Sequence, residues 1–273
     1  MIYIGDCGEV LSWLDDGSVD LIVTSPPYAA STLSYPNACI PANDYVEWFE
    51  PIAKEMLRVL KPTGSFILNV REHVVGRERS PYVLQLVLAL RELGYCWIEQ
   101  YIWHKSSTFY GRKRWRLANA WEHLHHFSKT IDFKIDIKNV SRPPSERTME
   151  RSRRALRRFH ETGEHQPIQR NPNGTGYTHD EKQFIKYLDP DKKVMPTNVL
   201  HCAPQRSRSH PAAFPFEIPE FFIKLLTEPG DTVLDPFLGS GTTYIQAQKL
   251  TRKAIGIEIE RSMVRESLRG EIV

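Results

Sequence analysis

The sequence predicts an α/β protein with a largely parallel sheet, made in two halves around an insertion. Three features carry that reading. Asp20-Leu21-Ile22-Val23-Thr24 is too apolar for a surface strand and suits the centre of a parallel sheet. Residues 232–258 run strand, glycine-rich loop, helix, then strand ending in an acid, a βαβ arrangement that suits nucleotide-like ligands. Between about Ile131 and Leu200 the periodicity fades and polar and basic residues rise.

Taken in order, Ile2 to Ile4 is a short strand ending at Gly5-Asp6, and Cys7 to Leu14 a short helix. The strand over 20–24 must stop at Pro26-Pro27, which have no N–H to donate. Asp44 is placed to cap a helix reaching Leu60, with Trp48, Phe49, Ile52, Met56 and Val59 on its apolar face. Pro51 belongs in its first turns or kinks it. Lys61 to Gly64 reads as a turn, Ser65 to Val70 as a strand and Pro81 to Leu93 as a helix. Tyr95 to His104 and Trp121 to Phe127 are two further strands. In the insertion, Ser145 to His160 is the clearest helix. The final section reads as helix Glu217–Leu226, strand Thr232–Asp235, helix to about Leu250, strand Lys253–Glu258 and helix Glu260–Leu268.

Composition narrows the class. The chain has 273 residues, 41% hydrophobic and 25% charged, as an ordinary globular protein does. No apolar run is long enough to cross a bilayer, and Met1 to Asp6 lacks the basic start of a signal peptide. A cytoplasmic protein without a membrane partner is expected. Cys7, Cys39, Cys96 and Cys202 lie far apart, so neither a zinc site nor a disulfide framework is expected. The net charge is only +3, yet seven arginines and two glutamates fall between Arg142 and Arg158, a patch that suits a polyanion.

The chemistry starts at Asp235. An acid at the loop mouth repels a pyrophosphate and attracts an amino group, which favours S-adenosyl-L-methionine over NAD or ATP. Glu258, at the end of the next strand, can accept from ribose hydroxyls. Asp235-Pro236-Phe237-Leu238-Gly239-Ser240-Gly241-Thr242-Thr243 resembles the cofactor loop of DNA amino-methyltransferases. His210 to Pro215 resembles the segment that closes on the methionine end of the cofactor, anchored by Phe214. Thr24-Ser25-Pro26-Pro27-Tyr28 resembles the family's catalytic motif. An exocyclic amine is a weak nucleophile because its lone pair is delocalised into the base. Acceptors at the Ser25 side chain and the Pro26 carbonyl can draw its N–H bonds out of that plane, and Pro26 and Pro27 preorganise the backbone. Tyr28 offers a face for an extruded base.

Catalytic motif before cofactor loop is the order of the permuted β class of these enzymes. That resemblance covers about 1–130 and 200–270. It implies a Rossmann-like methyltransferase fold, a mixed seven-stranded sheet with helices on both faces, circularly permuted. The catalytic half is then 1–130, an inserted target-recognition module 131–200, and the cofactor half 201–273. Ile2 to Ile4 fills the strand facing the cofactor adenine; Asp6 can accept from the adenine amine, or cap the following helix, and the Cys7 N–H can reach the ring. Arg142, Arg147, Arg151, Arg153, Arg154, Arg157 and Arg158 become candidates for phosphates or guanine edges. Trp103, His104 and Lys105 lie near the flipped base, although Trp103 also fits a core.

In the families resembled, Ser-Pro-Pro-Tyr goes mainly with cytosine N4, Asp-Pro-Pro-Tyr with adenine N6, and Asn-Pro-Pro-Tyr with glutamine or RNA. Ser25 favours cytosine N4. The absence of a Pro-Cys pair discounts methylation at cytosine carbon 5. The expected partner is double-stranded DNA, with a cognate restriction endonuclease if the enzyme is the modification half of such a system, and the expected state is a monomer or homodimer. The alternatives are an adenine-N6 or RNA enzyme, a catalytically dead DNA-binding version of the fold, and a small-molecule methyltransferase, which leaves the arginines unexplained.

Overall fold

In the computed structural model, residues 1–29, 40–106, 115, 117–162, 188, 193–204 and 215–273 are described. They form two compact units: 1–136 with 197–273, and 137–196.

The first unit is an α/β unit built on one eight-stranded sheet. Its strands are β1 (Ile2–Ile4), β2 (Val19–Thr24), β3 (Leu60–Val70), β6 (Cys96–Lys105), β7 (Trp121–Ser128), β8 (Val199–Cys202), β9 (Thr232–Asp235) and β10 (Lys253–Glu258). The order is β1-β10-β9-β2-β3-β7-β6-β8. Only β7 runs against its neighbours, pairing antiparallel with both β3 and β6. Two short strands, β4 (Val74–Val75) and β5 (Glu78–Arg79), form a separate hairpin.

Every residue of β2 is buried, as a central strand covered on both faces requires. Ile22, Phe66, Leu68, Leu234 and Ile257 join one core with helices α1 (Cys7–Leu11), α2 (Tyr45–Val59) and α3 (Tyr82–Glu92). Their alternates Leu21, Val23, Ile67 and Val233 are equally buried and belong to the opposite face. Helices α5 (Glu217–Leu226) and α6 (Thr242–Lys249) pack on each other. The buried residues Tyr45, Phe49, Ile52, Ala53, Met56 and Val59 recur at helical spacing along α2, and Pro51 lies on its exposed side. Asp44 stands at the N-cap of α2 but makes no side-chain cap bond.

Four expectations change. The sheet has eight strands, not seven, because Val199–Cys202 pairs parallel with β6 at its edge. The helix over 7–14 ends at Leu11. Lys61 to Gly64 is not a free turn: it is an excursion within β3, whose pairing to β2 jumps from Val19–Leu60 to Leu21–Ser65. The final helix over 260–268 is two 3₁₀ turns, Arg261–Met263 and Glu266–Glu271, separated by extended backbone at Val264 and Arg265. That break lets Val264 and Leu268 both enter a small core with Ile2, Leu238 and Tyr244. No helix among the described residues is long and apolar enough to cross a membrane.

The second unit contains a 3₁₀ turn at Ile137–Val140 and helix α4 (Glu146–Thr162). Arg142 and Val194 exchange backbone hydrogen bonds in an isolated bridge. Ser145 starts α4, its hydroxyl accepting from the Thr148 N–H at 3.2 Å.

Candidate active site

Strands β1, β10, β9, β2 and β3 are parallel, so their carboxyl ends lie along one edge of the sheet. Ligands of open α/β sheets bind along that edge. It carries Asp6 after β1, Glu258 at the end of β10, Asp235 at the end of β9, Ser25 after β2 and Asn69 near the end of β3. The antiparallel β7 begins there with Trp121 and Glu122, and β6 ends there at Lys105.

Chain-distant motifs meet at Asp235. The Thr24 hydroxyl donates to Asp235 Oδ1 at 2.6 Å, and the Phe237 N–H reaches the same oxygen at 3.2 Å. Thr243 donates 3.2 Å to the Val23 carbonyl, tying the start of α6 to the strand before the two prolines. Burial pushes the Asp235 carboxyl up to about 6, against the pull of its hydrogen bonds from Thr24 and Phe237. Glu258 is raised as well, chiefly by burial. Its two oxygens take the N–H groups of Gly239 (2.7 Å) and Glu260 (3.1 Å), which holds the glycine loop against β10.

The loop from Pro236 through Gly239 and Ser240 turns into α6 at Gly241, whose φ of 82° is left-handed. A Cβ there would also run into the Leu268 side chain. Thr242 opens the helix and is buried. At the neighbouring strand end, Asp6 caps α1, accepting from the Gly8 N–H at 2.8 Å. The Cys7 thiol is buried and raised to about 12, so it stays protonated and is no nucleophile.

On the other side, Pro26 is buried and Ser25, Pro27 and Tyr28 are half-buried. Tyr45 donates to the Pro27 carbonyl at 2.8 Å, whereas no described residue donates to the Pro26 carbonyl. Ser25 donates to the Tyr28 hydroxyl at 3.2 Å. Tyr28 in turn lies 3.1 Å from Asn69 Oδ1 and 3.0 Å from Glu122 Oε2. The guanidinium of Arg71 sits 5.2 Å from the Tyr28 ring centre, so one ring face is already covered. Lys105 pairs with Glu122 at 2.6 Å and lies over Trp103, which is core and donates to the Cys202 carbonyl.

The comparisons with known proteins fit this geometry. Residues 19–269 match the N6_N4_Mtase family model, described as DNA methylase. The chain belongs to the DNA methylase family. It is 32% identical to the Type II methyltransferase M.PvuII of Proteus hauseri, over 97% of this chain and 82% of that relative. The solved PvuII DNA methyltransferase, titled cytosine-N4-specific, superposes with a TM-score of 0.69 at 26% identity, covering 96% of this chain and 82% of that one. A Thermus thermophilus protein, solved in complex with S-adenosyl-L-methionine, has the same fold at a TM-score of 0.60 and 24% identity, covering 99% and 91%.

Within the methylase, every described residue singled out for cofactor or chemistry lies along the carboxyl edge of one sheet. Phe214, with the segment from His210, lies outside the described residues. Of the arginines, Arg142 stands at the bridge in the second unit, and Arg147, Arg151, Arg153, Arg154, Arg157 and Arg158 lie on α4. Arg153 pairs with Glu146 and Glu150, while Arg154 and Arg157 pair with Glu150. Asn69 and Glu122 escaped the sequence reading, as did Arg71. The available signal was polar side chains in two largely buried strands: Asn69 within Phe66 to Val70, and Glu122, beside three histidines, within Trp121 to Phe127.

Proposed function

We propose that this methylase transfers the methyl group of S-adenosyl-L-methionine to the N4 amine of a cytosine flipped out of double-stranded DNA at a recognised sequence. The observation that carries the reading is the Thr24–Asp235 hydrogen bond, which sets the Ser25 motif beside the cofactor loop.

The donor set fits the cofactor. Asp235 and Glu258 are buried carboxyls with no basic partner among the described residues, and burial has raised both. A cationic ligand removes that penalty. Asp235 would hold the methionine ammonium, Glu258 the ribose hydroxyls, and Asp6 with the Cys7 N–H the adenine. The backbone from Pro236 to Thr242 would line the ligand. When bound, the cofactor supplies an electrophilic methyl carbon on sulfur.

Ser25 Oγ and the Pro26 carbonyl accept from the two N–H bonds of the amine and draw the nitrogen towards tetrahedral geometry. Transfer would form the nitrogen–carbon bond as the carbon–sulfur bond breaks with its electron pair on sulfur, and the nitrogen's proton would pass to solvent water. The face of Tyr28 opposite Arg71 would stack on the base. The α4 arginines supply phosphate contacts and base-edge contacts within a target-recognition insertion. The order of the motifs supports the permuted β class, and the Type II name of the PvuII relative supports a cognate restriction endonuclease as partner.

Mass spectrometry of nucleosides from DNA incubated with protein and cofactor tests the reading. N4-methylcytosine is expected; N6-methyladenine alone would overturn the cytosine assignment. S25A should slow single-turnover transfer far more than it weakens cofactor binding.

A further inference from the structure

Deep to the Ser25 motif lies a set of polar groups that cofactor binding does not use. Lys105 contacts Glu122 Oε1 at 2.6 Å, and both are buried or nearly so. Asn69 Nδ2 reaches Glu122 Oε2 at 3.3 Å and the His123 carbonyl at 3.1 Å. The Tyr28 hydroxyl meets Glu122 Oε2 and Asn69 Oδ1, and receives the Ser25 proton. Arg71 adds a further charge, over the Tyr28 ring.

The direction of each bond follows from what each group can do. An ammonium only donates and a carboxylate only accepts. Lys105 therefore faces an ionised Glu122 that has no proton to give. Both Asn69 amide hydrogens are committed, one to Glu122 and one to a backbone carbonyl, so Asn69 presents its oxygen to Tyr28. The single Tyr28 proton must then point inward, to Glu122 or Asn69. Its oxygen is left to accept, and Ser25 turns its own proton to Tyr28. What Ser25 presents outward is lone pairs.

We propose that the Lys105–Glu122 ion pair fixes the direction of the hydrogen-bond chain ending at Ser25, so that the Ser25 oxygen meets the target amine as an acceptor. Both are positioning residues; neither touches the base. A serine hydroxyl free to rotate can donate as readily as accept, and a donor aimed at an amine hydrogen is repelled. An acidic side chain at that position would need no such help, whereas a serine does. The inference rests on the reading of Ser25 as an acceptor for the amine.

A double-mutant cycle on single-turnover methyl transfer separates the two claims. E122Q keeps the shape and substitutes a donor where Tyr28 and Asn69 deliver theirs. It should slow transfer by about tenfold or more, the scale of a lost preorganised hydrogen bond. Cofactor affinity should stay within about twofold, since the pair lies outside the proposed cofactor contacts. In an S25A background E122Q should cost almost nothing further, because the chain then has no end to orient. Y28F cuts the same chain with the ring retained and should show the same coupling to S25A; it decides the matter if E122Q folds poorly. Equal losses from E122Q in the wild-type and S25A backgrounds would overturn the proposal alone. An S25A variant of full activity would overturn the acceptor reading of Ser25 and this proposal with it.

Discussion

Asp235 is a carboxyl group held where water cannot stabilise its charge, and burial moves it to about 6. A ligand ammonium stays protonated well above that range. Binding that cation favours the ionised carboxylate, so ligand affinity should depend on pH with a known sign. Above about pH 6 the carboxylate is already ionised and affinity is flat. Below it, each unit of acidification costs up to about tenfold, because the site must first lose a proton. Calorimetry with S-adenosyl-L-methionine should therefore give affinity about tenfold weaker at about pH 5 than at about pH 7.5. D235N should bind weakly at both pH values and lose the slope; an unchanged slope would place the titrating group elsewhere. Asp235 and Ser25 were legible in the sequence because each sits in a contiguous motif at a strand end. Glu122, Asn69 and Lys105 were not legible as a group. They come from three strands, and only the register of β3, β7 and β6 brings them to one edge.

At the scale of elements, long apolar strands and amphipathic helices were legible because burial leaves a periodic trace. Strand β8 left none. Val199 to Cys202 is only four residues long, so its alternation in burial is too short to read in the sequence, and it pairs with a strand about a hundred positions earlier. The last segment misled for a different reason: its apolar spacing suits a helix, but packing at Val264 and Leu268 divides it. Helix α4 was legible as a basic helix, and its side chains now sort its arginines. Arg153, Arg154 and Arg157 are engaged with Glu146 and Glu150 along the helix, whereas Arg147 and Arg151 have no ion pair among the described residues. Exposed pairs of that kind are weak and can exchange for phosphate, at the cost of releasing a glutamate beside the DNA. Arg147 and Arg151 carry no such cost. R147Q and R151Q should each weaken DNA binding and lower the slope of log affinity against log salt by about 1. R154Q should change that slope less. Fluorescence anisotropy across a salt series measures it, and equal slopes for all variants would remove α4 from the DNA contact.

For the whole molecule, buried ionisable groups set how stability depends on pH, and they pull in opposite directions. Asp235 has a raised pKa, so the folded state holds its proton where the unfolded chain has lost it; its penalty is present above about pH 6 and relieved as pH falls. A shift of about two units corresponds to roughly 3 kcal/mol. On β7, burial lowers His125 to about 3 and His126 to about 4. His125 is enclosed by Trp97, His123 and Phe127, and neither of its ring nitrogens has a hydrogen-bond partner among the described residues. The unfolded chain protonates both imidazoles near pH 6.5, where the folded state refuses the protons. Their stability contribution is thus complete above pH 6.5 and lost as pH falls towards 4 and 3. The shifts are about 3.5 and 2.5 units, or on the order of 5 and 3 kcal/mol. The histidines outweigh the aspartate, so the protein should lose stability steadily below pH 6.5 instead of gaining it. Urea denaturation at about pH 7.5, 6.0 and 5.0 should show the midpoint falling at each step. H125F removes an imidazole that must stay neutral and keeps an aromatic ring against Trp97 and Phe127. It should flatten that decline and raise stability at about pH 5.0 more than at about pH 7.5; a parallel decline in H125F and wild type would show that His125 is not the group that resists protonation.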